Sequence, residues 1–126
     1  MTSRMITVNA YASDDEMTFS LDVSGHANSA PYGEDIVCAA VSILTTTTAQ
    51  RVSDIYDAFP DAFIVPPVVL LESGKASIHA RLSDAKVYHS LSRDISAIFV
   101  GYFLLEYNYS DRVRLRVKGD FPARLA

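Results

Sequence analysis

The stretch from Met5 to Gly25, MITVNAYASDDEMTFSLDVSG, decides the class of fold. Ile6 and Val8 alternate with polar residues ahead of Ser13-Asp14-Asp15. Met17, Phe19, Leu21 and Val23 alternate behind it. Two period-two runs flanking a polar turn read as a β-hairpin with one apolar face, and that face needs a cover.

Downstream, the period changes. From Asp35 onward Val37, Val41, Leu44, Thr48, Val52 and Ile55 recur at helical spacing, which predicts a helix to about Phe59, where Pro60 stops it. The Thr45 to Thr48 run is its weak point, because β-branched residues lose side-chain freedom in a helix. A second hairpin is predicted after it, VVLLE and KASIHARL flanking Ser73-Gly74, with Ala76, Ile78, Ala80 and Leu82 facing inward. A second helix follows, capped by Ser83 or Asp84, with Val87, Leu91, Ile95, Ile98, Tyr102 and Leu105 on one stripe and Gly101 marking a close approach. The closing strand RVRLRVKGDF sets Val113, Leu115 and Val117 on one face and Arg112, Arg114, Arg116 and Lys118 on the other. The expectation is an α+β fold of order β-β-α-β-β-α-β, with two helices packed on one face of a largely antiparallel sheet. Strand order is not legible from these patterns.

At 126 residues, 49% of them hydrophobic and 21% charged, the chain has the size and composition of one domain spanning 1–126. Eleven Lys and Arg against 15 Asp and Glu give a formal charge of −4, so no direct nucleic-acid partner of the phosphate-covering kind is expected. A single Cys cannot form an intramolecular disulfide, and no stretch is long and apolar enough for a bilayer, so a cytoplasmic location is expected. His26, His79 and His89 share no ligand spacing with that Cys; neither a metal nor another cofactor is expected. His79 and His89 read as surface residues.

The residues with chemical potential lie between hairpin and helix, in SGHANSAPYGEDIVCAAVS from Ser24 to Ser42. Gly33-Glu34-Asp35 reads as a helix start with Asp35 as cap, which sets Cys38 in the first turn. The helix dipole and unpaired amides there stabilise an anion, and thiolate is the reactive form of cysteine. Cys38 falls roughly a quarter turn from the centre of the apolar stripe, on an edge with Ser42 and Thr45. Two readings stand open: a reactive thiol at the rim of a cleft, or a packed apolar cysteine. His26 is either a surface residue or, if the loop from Ala27 to Gly33 brings strand end and helix start together, the base that takes the Cys38 proton. Asp35 caps the helix or also orients His26; Ser42 bonds within the site or back to its own helix. Gly25 and Gly33 supply backbone freedom at the two ends of the loop.

Gly25-His26-Ala27, the gap to Gly33 and then Asp35-Ile36-Val37-Cys38-Ala39-Ala40-Val41-Ser42 resemble the ribosomal-processing cysteine proteases called Prp. A weaker likeness runs over nearly the whole chain, to LLEYNYSDRVRLRV. The resemblance implies a small bacterial protein, generally a homodimer, that removes the N-terminal extension of a large-subunit ribosomal protein. It implies Cys38 as nucleophile and His26 as general base, with Gly25, Asp35 and Ser42 as further matched positions. The competing expectation, of a different class, is a non-catalytic dimeric protein that holds a ribosomal protein or an assembly factor through the Arg112 to Lys118 face.

Overall fold

The computed structural model describes residues 5–25 and 36–121. The elements are β1 (Ile6–Ser13), β2 (Thr18–Ser24), α1 (Ile36–Ala58), a single 3-10 turn (Pro60–Ala62), β3 (Val68–Glu72), β4 (Lys75–Arg81), α2 (Ala85–Asn108) and β5 (Val113–Gly119). The order is the expected β-β-α-β-β-α-β of an α+β fold, and the sheet order is β3-β4-β2-β1-β5. Three pairings are antiparallel; β5 joins β1 in parallel, with Ile6 opposite Val113 and Val8 opposite Leu115. A parallel pair needs a crossover, and the whole of α1, the second hairpin and α2 supplies it.

Alternation places one face of the sheet in the core. Ile6, Val8 and Ala10 from β1, Phe19, Leu21 and Val23 from β2, and Ala76, Ile78 and Ala80 from β4 are all buried beneath the helices. Helix α1 lies over the β3 and β4 side, and α2 over β5. Asp84 caps α2, its carboxylate accepting from the Val87 amide at 3.0 Å. Of the α2 stripe, Leu91, Ile95 and Tyr102 are buried as expected, while Tyr88 and Phe99 take the centre and Ile98 is only half-buried. The stripe is rotated by one residue because the Phe99 ring packs edge-on against Phe19 and tilted against Tyr102 and Phe121, and the larger ring claims the deeper position.

The threonine run does not break α1. Thr47 and Thr48 donate to the carbonyls of Ile43 and Leu44, four residues back, at 2.7 and 2.9 Å. Thr45, expected on the rim, is buried, and its hydroxyl lies 2.6 Å from that of Tyr102 on α2. Leu44 shares the contact between the helices. An added Cβ on Gly101 would stand 2.6 Å from Leu44 Cδ2, so the glycine is what lets α2 come this close.

Candidate active site

Cys38 is the third residue of α1 and is half-buried. The buried positions of α1 are Val37, Val41, Thr45, Thr48, Ala49, Val52 and Ile55. At 100° per residue Cys38 falls in angle between the buried Thr45 and Ala49, about 120° from Leu44. Leu44 borders α2 through Gly101, and Cys38 packs against the hydrophobic core. Cys38 is thus partly open and packed against the core at once, between the two readings that the spacing left open. Ser42, one turn on, is exposed.

The chain leaves β2 through Gly25. It has φ +90°, and a Cβ there would collide with the Met5 carbonyl, so only glycine fits without strain. Its amide donates to the carbonyl of Gly74 at 3.2 Å, tying the exit of β2 to the turn between β3 and β4. Strand exit and hairpin turn thus share one end of the sheet. His26, Gly33 and Asp35 lie outside the described residues.

On the Leu44 side of α1, an apolar groove of about 320 Å³ runs between the helices, lined by Ala40, Ile43, Leu44, Leu104, Leu105 and Tyr109. Cys38 does not line it. Among the described residues, no group of three or more His, Cys, Asp or Glu is arranged to hold a metal ion. No described helix is long and apolar enough to cross a membrane.

One polar constellation escaped the sequence patterns. On the outer face of the sheet, Ser77 donates to Asp22 Oδ1 at 2.7 Å, and His79 Nε2 lies 3.1 and 3.2 Å from the two Asp22 oxygens. The pairing of β2 with β4 sets Asp22 opposite Ser77, which no single-strand pattern could reveal. Its order is wrong for nucleophilic catalysis, because the carboxylate sits between serine and histidine and leaves the hydroxyl without an adjacent base. It is an open surface cluster that pins two strands together.

The sequence model of the family described as cysteine protease Prp matches residues 5–98. The fold is similar to a crystal structure of the essential ribosomal processing protease Prp from S. aureus in complex with a substrate peptide, at 23% identity and a TM-score of 0.59, covering 90% of this chain and 100% of that one. It is also similar to SMU.848 from Streptococcus mutans, at 26% identity and a TM-score of 0.59, covering 92% and 96%. A second S. aureus Prp structure, with a covalently linked product peptide, matches at 23% identity and a TM-score of 0.53, over 90% and 100%. No curated protein sequence matches the chain.

Proposed function

The chain belongs to the cysteine protease Prp family and is a cysteine peptidase, a hydrolase acting on peptide bonds; we propose that it removes the N-terminal extension of a large-subunit ribosomal protein, with Cys38 as nucleophile and His26 as general base. The observation that carries this reading is the position of Cys38, half-buried in the first turn of α1, in a chain matched by the family over residues 5–98.

Thiolate forms when the His26 imidazole accepts the Cys38 proton, and the dipole of a helix of 23 residues favours the anion at this end. Cys38 Sγ then bonds to the scissile carbonyl carbon, and amides of the first turn stabilise the oxyanion. The C–N bond breaks as the imidazolium returns its proton to the leaving amine. Water, deprotonated by His26, cleaves the thioester and regenerates the thiol. Asp35 and Ser42 support the site, Gly25 and Gly33 shape the loop, and the working unit is a homodimer in the cytoplasm.

The test is incubation of the purified protein with an N-terminally extended large-subunit ribosomal protein from the same organism, read by intact mass, beside Cys38→Ala. Loss of the extension with the native protein alone is expected. An unchanged mass in a complex that still forms would replace the peptidase reading of this substrate with a binding one.

A further inference from the structure

The helices cover one face of the sheet. On the other face, the side chains that β5 projects are Arg114, Arg116 and Lys118, all exposed. The parallel register sets them beside Thr7, Asn9 and Tyr11 of β1, so a column of cations runs next to a column of hydrogen-bonding side chains, with Tyr11 41% exposed. No acid stands in either column. Among the described residues none of the three cations forms an ion pair. The acids that flank the patch are engaged: Asp120 accepts the Asp14 amide at 2.9 Å, Asp14 accepts the Tyr88 hydroxyl at 3.1 Å, and Asp22, opposite Asn9 on β2, accepts from Ser77. Opposite charges on neighbouring strands are the usual way to settle such a row. Three like charges about 7 Å apart, unanswered in a chain of formal charge −4, call for an anionic partner.

We propose that this patch on β1 and β5 binds a segment of single-stranded RNA, the three cations holding successive phosphates and Tyr11 stacking on a base. Side chains on one face of a strand repeat at a spacing that suits a phosphate backbone, and each Arg supplies a planar fork that grips a phosphate through two hydrogen bonds. Thr7 and Asn9 add partners for phosphate and for the sugar 2′-hydroxyl. An acidic peptide fits less well. Peptides gain affinity by adding a strand at an open edge, and here the Val113 amide already donates to the Tyr109 carbonyl at 2.9 Å and the Leu115 amide to Glu106 at 2.8 Å. A membrane surface also fits less well, because the two columns hold no aliphatic residue to insert beside the cations. The formal charge of −4 opposes coating a long phosphate backbone, but not capture of a short segment by one strand. Three phosphate contacts imply weak, salt-sensitive binding, with a slope of about −2 in log affinity against log salt. Cys38 packs against the core on the other face, so RNA binding here does not depend on the peptidase chemistry.

Fluorescence anisotropy of a labelled single-stranded RNA of about 12 nucleotides and mixed sequence, titrated with the full chain, tests this. Saturable binding is expected at about 50 mM salt, weakening roughly 20-fold at about 200 mM. Arg116→Gln should weaken binding roughly tenfold at the lower salt and flatten the slope by about 0.7, and Tyr11→Leu should weaken it with the slope unchanged. Arg93→Gln, which removes one cation from the exposed surface of α2, should leave binding as it is. No binding at the lower salt, or equal affinities in Arg116→Gln and Arg93→Gln, would overturn the site. Native affinity in Tyr11→Leu would remove the base contact, and with it the preference for RNA. Displacement of the RNA by polyglutamate or by phosphatidylglycerol vesicles at equal charge would replace it with an acidic peptide or a membrane surface as the occupant. If Arg116→Gln fails to fold, Lys118→Gln decides by the same measure.

Discussion

The hydroxyls of Thr45 and Tyr102 stand 2.6 Å apart inside the core and tie α1 to α2. Both are buried and each is the other's partner, so removing one leaves the other unsatisfied. Thr45→Val is expected to destabilise the fold by about 1–3 kcal/mol. The double variant Thr45→Val with Tyr102→Phe should be more stable than Thr45→Val alone, since both polar groups are then gone. Denaturant unfolding of the four proteins in the cycle checks this, and simple additivity would mean that the bond has no energetic weight.

The surface ion pair between Arg51 and Asp94, also linking α1 to α2, is a useful contrast. At 2.5 Å it is as short as the buried bond, but its side chains are 36% and 44% exposed. Screening by water reduces such pairs to at most about 1 kcal/mol. Arg51→Ala should therefore cost less than Thr45→Val in the same unfolding assay, and added salt should narrow the difference between Arg51→Ala and the native protein.

Tyr88 and Tyr102 both titrate well above the ordinary tyrosine value of 10.0: burial disfavours their anions, and for Tyr88 the bond to Asp14 adds to it. The folded state holds these protons more tightly than the unfolded chain. Their contribution is complete below the unfolded value and is lost as pH rises toward the folded one. Thermal stability should be insensitive to these groups up to about pH 10 and fall above it. Tyr102→Phe should flatten that alkaline fall, measured by melting temperature against pH.

Gly25 combines a φ of +90° with a Met5 carbonyl where a Cβ would stand. Gly25→Ala is expected to lose about 1–3 kcal/mol of stability. It should also reduce peptide cleavage more than that loss of folded protein accounts for, because the chain enters the candidate loop at this residue. Activity per folded molecule, compared with Thr45→Val at matched stability, separates the two effects.

Cys38→Ala should abolish cleavage while shifting stability little, since the side chain is only half-buried. His26→Ala should lower the rate by ~10²–10⁴-fold, the usual worth of a positioned base. Iodoacetamide at pH 6 should alkylate Cys38 in the native protein faster than in His26→Ala. Equal labelling and full activity in His26→Ala would remove the pair.

Much of this molecule was legible in one dimension because its signals are local. The period of two in 5–25 and in the second hairpin, the period near 3.6 in α1 and α2, the Pro60 stop and the Asp84 cap all depend on neighbours a few residues away, and the elements form where those patterns lie. The place of Cys38 in the first turn of α1 was legible for the same reason, but an angle around one helix does not show what packs against it. Tertiary structure alone decided what depends on distant partners. It set the parallel pairing of β5 with β1, and turned Thr45 inward because Tyr102 offers a hydroxyl there. It brought Asp22 to Ser77 and His79 across strands, and left the apolar β3 at an uncovered edge. Side-chain periodicity states which face of an element seeks burial; only the packed chain supplies the surface that buries it, or leaves it exposed.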